Sequence, residues 1–122
     1  MKRDMDLVRK ILLALEAHEH GNAPSELNIA GYSEEQIYYH VSLMNEAGLV
    51  HAVEAGNTTI LSPQAIPMSL SWEGHEFLEA AREPSRWQTA LTMAREKGAA
   101  LTFDILKAIL IDISRRALWP AP

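Results

Sequence analysis

Residues 31–50 read GYSEEQIYYHVSLMNEAGLV, a stretch that carries a turn, a complete helix and the start of a strand. Gly31 suits a tight turn, because glycine reaches positive φ without a steric penalty. Ser33 and Gln36 have the spacing of a capping box, in which each side chain takes the other's orphan backbone N–H. Ile37, Val41 and Met44 recur at helical spacing, and His40 lies on the same face. Gly48 can end the helix in the left-handed conformation, and Leu49-Val50 opens a β-branched run.

Upstream, residues 4–19 are expected as an amphipathic helix. Val8, Ile11, Leu12 and Leu15 follow the i, i+3, i+4, i+7 spacing, and Asp4 and Asp6 sit at the helix's positive end. The pattern fades through His18-Glu19-His20-Gly21-Asn22, and Pro24 blocks continuation. Leu27 and Ile29 alternate within 25–30. That segment reads as a short strand, or as a degenerate helical turn at the place where a helix-turn-helix has its second helix.

Downstream, 49–55 are expected as a strand, Gly56-Asn57 as a turn and 58–61 as the returning strand. Pro63 and Pro67 break the line and make this wing long or irregular, and Met68-Ser69-Leu70 reads as the strand that closes it. Ser71 caps a helix over 72–82 with Trp72, Phe77, Leu78 and Ala81 as its apolar surface. Pro84 marks the boundary between a region at 1–83 and a helical extension at 84–122, which packs on it or on a second copy within one structural domain overall.

In the extension, Ser85-x-x-Gln88 reads as a second capping box opening a helix over 86–97. Trp87, Leu91 and Ala94 lie on one side of it, and Gly98 stops it. Thr102 caps a last helix over 103–118. Phe103, Leu106, Leu110, Ile113 and Ala117 form one stripe there, and Ile105, Ile109 and Ile111 add apolar residues beyond it. A helix apolar around most of its circumference needs burial on more than one side. Phe103, Ile105, Ile109, Leu110 and Ile113 are therefore the expected contact surface of a homodimer. Trp119-Pro-Ala-Pro forms a tail, and no repeat or low-complexity segment is present.

A length of 122 residues suits one domain with a real core. The chain has no cysteine, which excludes disulfides and thiolate metal sites and suits a reducing cytoplasm. The start, MKRDMDLVRK, carries acids where a signal peptide is basic, and 11–15 is too short for a signal core. The longest apolar run, 105–113, is interrupted by Lys107 and Asp112 and falls short of the ~20 residues of a membrane span. A soluble, cytoplasmic protein is expected, with no membrane partner.

The net charge of −5 is unevenly spread. Residues 1–10 carry a net +2 and residues 82–122 a net +3, whereas 11–81 hold ten Glu and no Lys or Arg. The whole region from the end of the first helix to the closing strand therefore lacks a fixed positive charge.

The order helix, short strand or turn, capped helix, hairpin, helix resembles a winged helix-turn-helix. GYSEEQIYYHVSLMNEAGLV looks like its recognition-helix-to-wing passage, and MSLSWEGHEFLEAA resembles the closing strand and following helix, where such proteins often read Leu-Thr-x-x-Gly. Together with MKRDMDLVRKILLALE and the aliphatic last helix, these segments resemble a family of short, uncharacterised bacterial and prophage-associated proteins, a domain of unknown function. The likeness covers nearly the whole chain and implies an α+β, mainly α fold: a winged helix with a two-helix extension. It implies no activity and brings no catalytic residues.

Three function classes follow. In a DNA-binding regulator, Glu34, Glu35, Tyr38, Tyr39 and Ser42 would face the major groove. Phosphate neutralisation by Lys and Arg supplies much of DNA affinity, and this surface has none. Only Lys2, Arg3, Arg9, Lys10 and the basic residues after 81 could supply it, which leaves nucleic acid the second choice. In a protein-docking module, the same five residues present tyrosines and acids to a basic partner. A bolder form of this reading has the acidic face mimic DNA. The plainer account is that the acids only solvate the surface.

An enzyme is the weakest class, since no phosphate loop, Ser-x-x-Lys or His-Glu-x-x-His pattern is present, and no cofactor is expected. Glu16 with His18-Glu19-His20 has zinc-ligand chemistry but poor helical spacing, so no metal site is expected. His40 reads as a hydrogen-bonded core histidine, and His51 and His75 have no readable partner. Trp72, Trp87 and Trp119 read as core and interface packing. The expected function is non-enzymatic, an accessory or regulatory protein acting through protein contacts and as a homodimer.

Overall fold

The computed structural model describes residues 1–55, 61–98 and 102–119. The fold is α+β and mainly helical. Its elements run α1 (Met5–Ala17), α2 (Glu34–Glu46), β1 (Val50–Glu54), β2 (Ala65–Leu70), α3 (Trp72–Ala81), α4 (Pro84–Glu96) and α5 (Phe103–Leu118). Backbone contacts divide the chain into two units, Met1–Glu76 and Phe77–Pro122. The division falls inside α3. No helix among the described residues is long and apolar enough to cross a membrane.

The first unit is built on α1, α2 and the hairpin. Asp4 caps α1, its carboxylate accepting from the Leu7 N–H. One face of α1 buries Leu7, Val8, Ile11, Leu12 and Leu15, and α1 packs on α2, which buries Ile37, Val41 and Met44. Both halves of the Ser33–Gln36 capping box are made, at 3.1 and 2.8 Å. Gly48, at φ +78°, ends the run. Its N–H reaches Asn45 O at 3.1 Å while the Leu49 N–H reaches Met44 O at 2.9 Å. This paired closure satisfies the last carbonyls and aims the chain straight into β1.

β1 and β2 form a two-stranded antiparallel sheet, with Val50 opposite Leu70, His51 opposite Ser69 and Val53 opposite Ile66. The register shifts between His51 and Ala52, where Pro67 faces Ala52 and Met68 is the extra residue of a bulge. Pro67 therefore lies within the strand instead of breaking it, because the ladder is irregular where its missing donor falls. Among the described residues the strand that pairs with β1 is β2, and the return expected over 58–61 falls, but for Leu61, outside them. Residues 56–60, which include the expected Gly56-Asn57 turn, lie outside the described residues, and Leu61 sits exposed in a bend.

Residues 25–30 are neither strand nor helix. The Leu27 N–H donates to the Tyr38 hydroxyl at 3.4 Å, and just upstream the Ala23 N–H donates to Met68 O at 2.8 Å. Ser71 caps α3: its hydroxyl accepts from the Gly74 N–H at 3.0 Å and donates to Gly48 O. Trp72 does not supply apolar packing as expected. At 77% exposure it stands in solvent at the first helical position.

In the second unit, α4 starts at Pro84, one residue before the expected Ser85 cap. Proline is pre-organised for the first helical position. The Glu83 carboxylate, in place of Ser85, caps the helix by accepting from the N–H groups of Ser85 and Arg86 at 3.1 and 2.9 Å. These bonds, with that of the Ser85 hydroxyl foremost, hold the Glu83 carboxyl below its ordinary pKa. Gly98 ends α4 at φ +65°, and Thr102 caps α5 through the Ile105 N–H at 3.2 Å. Phe77 anchors the core of this unit, edge-on to Trp87 with ring centres 6.2 Å apart and tilted on Phe103 at 4.8 Å. From α5, Leu106 and Leu110 are fully buried.

Candidate functional site: an acidic groove beside α2

The irregular chain at 26–32 stands off from the first turns of α2 and leaves a groove of about 550 Å³. Glu26, Ile29 and Tyr32 line it from the irregular chain, and Glu34, Ile37 and Tyr38 from the helix. A second hollow of about 280 Å³ shares Glu34 and Tyr38 and continues to Ala65 and Ile66 on β2. Glu34 and Tyr38 are one helical turn apart, so they share a face and form the ridge common to both hollows.

Several bonds fix the walls. Gly31, at φ +88°, turns the chain, and the Tyr32 N–H closes the turn on Ile29 O at 3.2 Å. The Tyr32 hydroxyl donates to the Asp4 carboxylate at 3.1 Å. Burial first, and then that bond, push the Tyr32 phenol above its ordinary pKa. Lys10 places its ammonium 5.4 Å from the centre of the Tyr32 ring. His40 is 1% exposed, and its Nε2 accepts from the Asp4 backbone N–H at 2.8 Å. Its Nδ1 lies 2.8 Å from Gln36 O, which can only accept, so the ring proton belongs on Nδ1 and both nitrogens are used.

The five residues expected at a partner surface part company here. Glu34 and Glu35 are exposed in the first turn of α2, where negative charge also stabilises the helix N-terminus. Glu35 lies beside the groove and accepts from the Ser62 hydroxyl at 2.7 Å. Tyr38 lines both hollows, and Tyr39 is half-buried, edge-on to His40 at 5.8 Å. Ser42 is buried and bonds both carboxylate oxygens of Glu54, at 3.1 and 3.2 Å, so it is not offered to a partner. Glu26 and Tyr32 are the groove residues that sequence reasoning missed. Only the Gly31 turn signal pointed toward them.

Of the residues expected at a dimer surface, Leu110 is fully buried, while Phe103, Ile105, Ile109 and Ile113 are half-buried. His18 turns its Nδ1 to Asn22 O at 2.7 Å, and His20 pairs with Glu19 at 3.1 Å in solvent. Among the described residues no three His, Asp or Glu side chains are gathered closely enough to hold a metal. His51 and His75 are exposed. Chemically, the groove presents carboxylates, phenol hydroxyls and aromatic faces, which are the acceptors and π surfaces that suit Arg and Lys side chains.

A family model described as "Hypothetical protein (DUF2513)" matches residues 2–100. An uncharacterized protein of Haemophilus influenzae (strain Rd) is 32% identical over 119 residues, covering 97% of this chain and 99% of its own. No solved structure matches the chain.

Proposed function

We propose that this chain, which belongs to the DUF2513 family of hypothetical proteins, is a non-enzymatic docking protein whose acidic groove receives a basic protein segment. The observation that carries this reading is the groove itself. Glu26, Glu34, Tyr32 and Tyr38 converge on it within a stretch, 11–81, that holds ten Glu and no Lys or Arg. In the same reading the first unit is a winged helix. The order α1, irregular segment, α2 and hairpin supports that assignment, with α2 in the recognition-helix position and the hairpin as the wing. An accessory or regulatory role in the bacterial cytoplasm, including a prophage setting, belongs to this reading through the resemblance of the chain.

DNA-binding regulation is the second reading. The observation that favours it is Lys10, which brings one N-terminal cation to Tyr32 at the groove wall. Fluorescence anisotropy separates the two readings, using a labelled oligoarginine peptide and a labelled random-sequence duplex at low and rising salt. The docking reading expects the peptide to bind and the duplex not to. Exchange of Glu34 and Glu35 for Lys should weaken the peptide at least tenfold without altering the circular dichroism spectrum. Duplex binding that falls steeply with salt, together with peptide binding indifferent to the exchange, would give the regulator reading the lead.

A further inference from the structure

We propose that the occupant of the groove is a second copy of this chain, presenting the exposed last turn of its α5. The inference rests on the docking reading above. The surface expected to pair two copies, Phe103, Ile105, Ile109, Leu110 and Ile113, is partly used up, because Leu110 is fully buried in the monomer. The apolar surface that α5 leaves open is elsewhere: Ile111 is 37% exposed, Leu118 69% and Trp119 74%. Ile111, Arg115 and Leu118 are spaced i, i+4 and i+7, so they lie along one side of the helix, and Trp119 follows as its C-cap. The last turn therefore offers an apolar edge ending in tryptophan with a guanidinium set one turn before it. Tryptophan and arginine are the side chains that most often dominate interface energies.

The groove is complementary in charge and in order. Its charged lining groups are Glu26 and Glu34, and its tyrosines give aromatic walls. The hollow that shares Glu34 runs on to Ile66, which is 57% exposed. With an Arg115 guanidinium at Glu34, Trp119, the cap residue that follows the last turn, would meet Ala65 and Ile66 in the hollow that shares Glu34. The charge imbalance of the chain takes the same direction, −10 in residues 11–81 against +3 in residues 82–122. When each copy receives the other's helix end, the contact is made twice about a two-fold axis and closes as a dimer.

Sedimentation velocity on the full chain, across a concentration series at low and moderate salt, tests this. The wild type should dimerise, and salt should weaken the dimer. Trp119→Ala and Arg115→Glu, both at exposed positions, should each raise the dissociation constant at least tenfold with unchanged circular dichroism. The double exchange Glu34→Arg with Arg115→Glu should recover most of the loss. Because the groove is then vacated, Trp119→Ala should also bind the oligoarginine peptide more tightly than the wild type does. A wild type that stays monomeric, a dimer untouched by either single exchange, or a loss that the double exchange leaves unrepaired would each overturn the proposal. If the monomer still takes the peptide through Glu34, the docking reading stands and only the occupant was wrong. If it takes none, both fall.

Discussion

Gly74→Ala should destabilise the protein although alanine is the better helix former. At an open helical site the exchange would gain about 1 kcal/mol. At position 74 the added Cβ would stand 2.0 Å from the Leu49 carbonyl oxygen and 3.1 Å from its carbon. Ordinary contact begins near 3.4 Å, and both atoms are backbone, so no rotamer change opens the gap. α3 must instead move off the junction of α2 and β1. That movement strains the Ser71 N–H bond to Leu49 O, 3.1 Å long, and the Ser71 hydroxyl bond to Gly48 O. Two such bonds at about 0.5–1.5 kcal/mol each, plus about 1–3 kcal/mol for overpacking, outweigh the propensity gain. The net loss should be about 2–4 kcal/mol, which lowers a urea midpoint by roughly 1–2 M. Gly21→Ala is the control: Gly21 is exposed and its Cβ would meet nothing within 4 Å. That variant should stay within about 0.5 kcal/mol of wild type. A Gly74→Ala midpoint at or above the wild-type value would refute the steric argument.

Ser42→Ala removes a buried hydroxyl that holds both oxygens of Glu54 and should cost about 1 kcal/mol by thermal melting; an unchanged melt would show that the tie between α2 and β1 contributes nothing. Glu83→Gln tests the cap of α4 through pH. The folded-state pKa of Glu83 is lowered, so its charge stabilises above the ordinary carboxylate range, and that contribution is lost as pH falls through the lowered value. The wild type should melt above Glu83→Gln near neutrality and converge with it in acid. Parallel curves at every pH would remove the charge from the capping account.

The parts of the fold that sequence made legible are those whose causes are local. The Ser33–Gln36 box, the Gly48 closure and the α1 stripe each depend on residues within one or two turns of each other, and each stands where periodicity and capping chemistry put it. The partner of β1 was legible in its last three residues, Met68-Ser69-Leu70, but not in its extension back to Ala65, because that depends on a bulge at Met68 that lets a proline into the strand. Residues 25–30 carried alternating Leu27 and Ile29, but the Leu27 N–H is met by the Tyr38 hydroxyl of α2, which no local pattern reveals. At α4 two start signals competed, and proline at the first helical position with Glu83 before it prevailed over Ser85. In the groove, Glu34 and Tyr38 followed from the exposed arc of α2. Ser42 is buried and bonded to Glu54, a residue of β1, a contact that the helical pattern does not show. The apolar excess of α5 was plain from composition. Which side the second unit would use was not, because periodicity does not say where the neighbouring helix lies.

The small sheet also bears on self-association of another kind. Val53, Ile66 and Met68 are all at least half exposed on the hairpin, and an apolar two-stranded ribbon with an open edge is a template for cross-β stacking. Along β2 that template is spoiled twice in succession. Pro67 brings no N–H to either side, and the neighbouring Met68 carbonyl is already taken by the Ala23 N–H. A foreign strand approaching there meets no donor at one residue and an engaged acceptor at the next, while the bulge throws its register out of step. Backbone pairing along β2 is thereby hindered, which makes the exposed apolar residues of the hairpin a poorer seed for strand stacking.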